Sequence, residues 1–181
     1  MSQSQKMRKA LSRYVIPSLT AKGFVGKYPH YKKIYDNRIE LLVFDTNKWG
    51  NSFTVGISTV FLPESKRNSN CYTTCFEKLE DATVWSTIDR YYLRGMYDGW
   101  FYYTDVYKQK IGSVTIYNAI SETKAKDYIP AKNEKLIQKA DEEIYYKVCE
   151  QVNLQLPKAF KWWDAFNKNN RLKMKFLEIF D

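Results

Sequence analysis

Apolar residues near the start of the chain recur at three- and four-residue steps. Met7, Leu11, Tyr14, Val15 and Leu19 form one stripe, which predicts a helix from about Gln3 to Lys22. Lys6, Lys9 and Arg13 fall nearly opposite that stripe. Pro17 lies inside the pattern and should kink or divide the helix near Arg13, because it lacks an N–H donor and crowds the preceding turn. Gly23 suits the left-handed position that closes a helix. The period then changes. Tyr28 to Tyr35, Arg38 to Asp45 and Ser52 to Leu62 read as strands, separated by the turn Asp36-Asn37 and a loop from Thr46 to Asn51. In the third strand Phe53, Val55, Ile57, Thr59 and Phe61 share a face, which predicts a half-buried antiparallel meander.

Pro63 to Asn70 is the most polar stretch and reads as an exposed loop. Phe76 to Leu93 is assigned a short helix. Arg90 to Tyr107 is dense in rings, with Asp98-Gly99 as a turn, and Ile111 to Ile120 alternates like a strand. Ile137, Ala140, Ile144, Val148 and Val152 predict a helix from Asn133 to Gln155, ended by Pro157. Further helices are expected from Lys158 to Asn167 and from Arg171 to Phe180, with a break at Asn167 to Asn170. The order of elements predicts a single α+β domain over residues 1–181: an antiparallel sheet of about five strands, packed by an N-terminal helix and C-terminal helices.

With 17% aromatic residues, 15 of them Tyr, and only 12 Pro plus Gly in 181 residues, the chain is not of the disordered class. Apolar runs such as Leu41 to Phe44 fall far short of the roughly 18 residues of a membrane-spanning helix. The first residues carry no apolar segment of the secretory kind, so a cytoplasmic location is expected. The net charge of +9 sits at the chain's ends. Met1 to Lys33 holds eight basic residues and no acidic ones, and Lys158 to Asp181 carries +3, against −2 between them. Such ends suit nucleic acid, an acidic protein or anionic lipid, or serve only as a solvated surface.

Reactive chemistry is sparse. His30 is the only histidine, so any catalytic triad would need it as base, and a packing role fits Tyr28-Pro29-His30-Tyr31 better. Cys71, Cys75 and Cys149 lack the spacing of a zinc site or a disulfide framework and read as free thiols. Asp141-Glu142-Glu143 reads as a solvated helix face, and no phosphate-binding glycine loop or nucleophile elbow occurs. No catalytic residue, metal or cofactor is expected. Tyr102, Tyr103 and Tyr107 beside Lys108 and Lys110 have the makings of a base-stacking platform. Rings of this kind also build cores and protein interfaces, which is the reading adopted. The expected binding residues are Lys6, Lys9, Arg13, Lys32, Lys33, Trp49, Trp100, Tyr102 and Trp162.

Four segments resemble domain-of-unknown-function family 4304, a group of small bacterial proteins. They are Ile16 to Phe24, Tyr31 to Tyr35 with the strand Ile39 to Phe44, Lys48 to Ile57, and Leu156-Pro157 with Trp162-Trp163. The resemblance implies a compact α+β domain of the bacterial cytoplasm, of a kind found among toxin-immunity and defence genes. The expected function is a non-catalytic protein-binding domain of immunity-like type. The alternative is nucleic-acid binding through the basic ends.

Overall fold

A computed structural model describes residues 1–61, 84–87 and 99–177. The fold is α+β. Helices α1 (Gln3–Tyr14) and α2 (Ile16–Ala21) precede strands β1 (Val25–Lys27), β2 (His30–Tyr35), β3 (Arg38–Thr46) and β4 (Ser52–Phe61). Then follow β5 (Val84–Thr87), β6 (Phe101–Tyr102), β7 (Asp105–Ile111), β8 (Val114–Ile120), the short α3 (Glu122–Ala125), β9 (Glu134–Gln138) and α4 (Ile144–Leu177). The principal sheet runs β1-β2-β3-β4-β5, with β6 also pairing β4. A second sheet, absent from the sequence expectation, runs β8-β7-β9. The chain divides into two compact units. One comprises residues 1–18, 45–54 and 89–153, and the other residues 19–44, 55–88 and 154–181.

In the first unit, α1 begins on a capping box. The Ser2 hydroxyl accepts from the Gln5 N–H while Gln5 accepts from the Ser2 N–H, which satisfies two otherwise orphaned donors. Of the predicted stripe Met7, Leu11 and Val15 are buried, whereas Tyr14 is exposed. The helix divides at Val15, two residues closer to Pro17 than Arg13, because the proline must start a fresh turn. Asn153 Nδ2 donates to the Tyr14 carbonyl at 2.8 Å, and the Tyr14 and Tyr146 rings meet edge-on at 5.4 Å. Phe53 stacks on Phe101 at 5.3 Å and lies 6.3 Å from the buried ring of Tyr103.

In the second unit β1 and β2 form a hairpin, with Gly26 opposite Tyr31. Gly26 has φ +144°, and a Cβ there would meet the His30 carbonyl oxygen at 2.4 Å, so only glycine fits. Glu40 is buried yet satisfied: Arg38 donates through Nε and Nη2 at 3.1 and 3.0 Å, and Tyr35 Oη at 3.2 Å. Residues 55–60 of β4 are buried on both faces rather than half-buried. Trp163, 1% exposed, lies over this stretch, and its Nε1 donates to the Ser58 carbonyl at 3.0 Å. Phe24 packs 5.2 Å from the same indole.

Several expectations are corrected. Val84–Thr87 is a strand paired with β4 and not part of a helix; the rest of the Phe76 to Leu93 assignment and the Pro63 to Asn70 loop lie outside the described residues. Glu134–Gln138 is a strand paired with β7, so the helix predicted from Asn133 starts only at Ile144. Asp141-Glu142-Glu143 therefore precedes α4, where acidic groups favour the positive end of the helix dipole, and is not a helix face. Finally, α4 continues through Pro157 and through Asn167 to Asn170. The proline deprives the carbonyl four residues earlier of its donor, at about 3 kcal/mol. Val148, Val152, Leu156, Ala159 and Trp163 nevertheless stay buried on one helical stripe, and each large side chain is worth roughly 1.5–3 kcal/mol.

The indole of Trp163 supplies the clearest test of this packing. Trp163→Ala should lower unfolding stability by about 3–5 kcal/mol in urea titrations. Trp163→Phe, which keeps a ring but leaves the Ser58 carbonyl without its donor, should cost about 1–3 kcal/mol.

Candidate functional site

Alternation along β7 divides the small sheet into two chemically different faces. Strand residues two apart share a face, and directly paired residues share it too. Val106, Lys108 and Lys110 therefore lie on one side with Ala119, Tyr117 and Thr115 of β8. Lys135 of β9 stands directly opposite Lys108 on that side. Asp105, Tyr107, Gln109 and Ile111 lie on the other side with Ile120, Asn118, Ile116 and Val114. Leu136 and Glu134 join them from β9. The turn between β7 and β8 is the two-residue Gly112-Ser113, with Gly112 at φ +59°.

The inner end of the sheet is anchored by polar bonds. Gln138 is wholly buried, and its amide nitrogen donates to the carbonyls of Tyr102 and Thr104, both at 2.9 Å. Asp105 Oδ1 accepts the Ala140 N–H at 2.6 Å, and the Ala119 carbonyl accepts Asn51 Nδ2 at 3.1 Å. Tyr102 and Val106 are the buried centre of an apolar cluster, with Trp100, Tyr117, Ala119 and Ile137 packed around them.

The loop before β9 is clipped onto the second face by Glu134. Its carboxylate accepts from Tyr128 Oη at 2.7 Å, the Ala131 N–H at 2.9 Å and Asn118 Nδ2. The rings of Tyr107 and Tyr128 meet at 4.9 Å. Hydrogen bonds from Tyr128, Ala131 and Asn118 hold the Glu134 carboxyl below the usual carboxylate range, while the Tyr128 phenol is pushed up to about 12, first by its bond to Glu134. Beyond this clip the outer end of the second face is bare. Ile111 is 53% exposed, Val114 58% and Ile116 37%. The first face ends in the exposed ammonium groups of Lys108, Lys110 and Lys135.

The residues singled out from sequence are dispersed within their units. Lys6, Lys9 and Arg13 are exposed on α1, with the Arg13 guanidinium 5.2 Å from the Tyr14 ring centroid. Trp49 is exposed, with Lys48 Nζ 4.5 Å above it. Trp100 and Tyr102 are brought together, but Tyr102 is buried in the apolar cluster and offers little surface to a ligand. In the second unit Lys32 lines an open depression of about 470 Å³ with Tyr28, His30 and Leu41. Its neighbour Lys33 lies 5.0 Å from the Tyr35 ring centroid, and Trp162 is half-buried, edge-on to Trp163. The envisaged platform of Tyr102, Tyr103 and Tyr107 does not form. The first two rings are buried, and Tyr107 faces away from Lys108 and Lys110, whose side carries Tyr117 instead. The exposed Ile111, Val114 and Ile116 were missed as a site; the alternation from Ile111 to Ile120 was the signal that carried them.

Reacting groups do not assemble among the described residues. Cys149 is buried, and burial pushes its thiol up to about 12, which keeps it neutral and non-nucleophilic. Cys71 and Cys75 lie outside the described residues. Among the described residues no group of three His, Cys, Asp or Glu side chains is placed to hold a metal ion, and no helix is long and apolar enough to cross a membrane. Compared with protein-family models, curated proteins and solved structures, the chain matches none.

The clip makes a pH-dependent prediction. Because the folded-state pKa of Glu134 lies below its ordinary value, its contribution is present above the normal carboxylate range and is lost as pH falls through the depressed folded value. In an NMR titration the Glu134 carboxyl resonance should therefore move at lower pH than free glutamate. In Tyr128→Phe, which removes the largest cause, the midpoint should rise; an unmoved midpoint would contradict this assignment.

Proposed function

We propose that this chain is a non-catalytic protein-binding domain whose docking surface is the outer end of the small sheet. The observation that carries the reading is the exposure of Ile111, Val114 and Ile116 together on one face of paired strands. Clustered aliphatic side chains left in water forgo roughly 25 cal/mol for each Å² that a partner would cover. The lysines on the reverse side select the partner's charge: an apolar contact bordered by carboxylates fits, and a basic protein is repelled. The resemblance to domain-of-unknown-function family 4304 adds the finer reading, a bacterial, cytoplasmic, immunity-like protein that occludes its partner. A second reading, nucleic-acid binding, is favoured by the exposed Lys6, Lys9 and Arg13 of α1, which has no acidic residue in its first turn.

The test uses the full chain and its Ile116→Asp variant as baits in extract of the native host, with nuclease treatment as a parallel arm. A stoichiometric protein should co-purify with the unaltered chain, survive nuclease and fall at least tenfold with the variant. Capture abolished by nuclease supports the second reading, and capture indifferent to Ile116→Asp removes the small sheet as the docking surface.

A further inference from the structure

The two edges of the small sheet are not equivalent. Strand β9 carries Glu134 and Lys135, and its register with β7 shifts between Val106 and Tyr107. Charged side chains and bulges are the usual means by which an edge strand resists pairing with another chain. Strand β8 has neither. Its seven residues, Val-Thr-Ile-Tyr-Asn-Ala-Ile, contain no charge, no proline and no glycine, and most favour extended backbone. Its outer half, Val114 to Ile116, is exposed throughout, and among the described residues no strand pairs with its free side. At the inner end the Ala119 carbonyl already accepts Asn51 Nδ2, which confines the open stretch to Val114–Tyr117.

We propose that β8 receives a partner's extended segment as an additional strand, and that this segment alternates apolar and acidic residues. The inference rests on the protein-binding reading above and specifies its mode. Main-chain hydrogen bonds to an edge supply affinity, while alternate side chains supply selectivity. A strand laid beside β8 points one set of side chains to the face of Val114 and Ile116, where aliphatic groups bury the exposed surface. The other set falls on the face of Thr115, Tyr117, Lys108 and Lys110. Carboxylates there lie across β8 from Lys108 and Lys110, the exposed ammonium groups that the next strand presents on that face. A second copy of this chain is the poorer occupant. Antiparallel pairing of two β8 strands sets the lysines of both copies on a common face, and β8 brings no acidic residue to neutralise them.

The experiment titrates the ¹⁵N-labelled full chain with the blocked heptapeptide Glu-Val-Glu-Val-Glu-Val-Glu. Parallel arms use the same peptide N-methylated at its valines, N-methylated at its glutamates, and with Lys in place of every Glu. The expected result is resonance shifts and slowed amide exchange within Val114–Tyr117, at least tenfold weaker binding by one of the N-methylated peptides, and no binding by the lysine peptide. N-methylation leaves the side chains in place, so equal binding by both methylated forms overturns strand addition while leaving the protein-binding reading intact. Absence of any binding by the glutamate peptide, shifts that map away from β8, or a concentration-dependent dimer abolished by Val114→Asp each overturn the proposal. Val114→Asp and Ile116→Asp, both at exposed positions, should each weaken the peptide at least tenfold with the circular dichroism spectrum unchanged.

Discussion

One buried amide fixes the geometry on which the small sheet depends. Gln138 has no access to water, and its nitrogen satisfies two main-chain carbonyls, those of Tyr102 and Thr104. Each carbonyl left unpaired in such a place would cost about 1–3 kcal/mol. The pairing of Val106 with Gln138 is thereby tied to the entry into β7, and the irregularity between Val106 and Tyr107 absorbs the mismatch with the rest of β9. Strand side chains alternate with period two, so a slip of one residue would carry Leu136 to the lysine side and Lys135 to the aliphatic side. The separation of charge from aliphatic surface is thus a consequence of register, and register is held by a polar contact that the hydrophobic pattern does not encode.

The first unit brings polar anchors and ring packing to bear on the same strands. Phe53, Phe101 and Tyr103 fill its interior, while Asn51, Asp105 and Gln138 bind main-chain groups at the ends of β7, β8 and β9. Glu134 does the corresponding work at the surface, gathering a phenol, an amide side chain and a backbone N–H about one carboxylate. The result is a sheet whose inner half is determined by its own chain and whose outer half is left in water.

The sequence announced what periodicity alone can announce. The stripe of Met7, Leu11 and Val15 is buried as expected, and the alternation of β4 marks a true strand. Where it misled, tertiary contacts outweighed local pattern. Ile137 fits the helical spacing of Ile144 and Val148, yet Gln138 fixes its segment on β7 and hands it to the sheet. Pro157 is a strong stop signal in isolation, but the buried stripe of α4 runs past it. Strand β7 was hardest to read, because Tyr107, Lys108, Gln109 and Lys110 are wetted on both faces and show no apolar alternation. Of the residues proposed from sequence for binding, rings and charges were chosen by type. Type does not reveal burial, so Tyr102 proved internal while the aliphatic tip passed unnoticed.

The two glycines at the hairpins divide what inheritance can alter. At Gly112 no atom lies within 4 Å of an added Cβ, so only the left-handed backbone restricts the position, and Asn or Asp can occupy it. At Gly26 the His30 carbonyl already fills the place of a side chain, and no other amino acid can be admitted. Descendants of this chain are therefore free to remodel the tip of the small sheet, while the β1–β2 hairpin stays locked in its ancestral form.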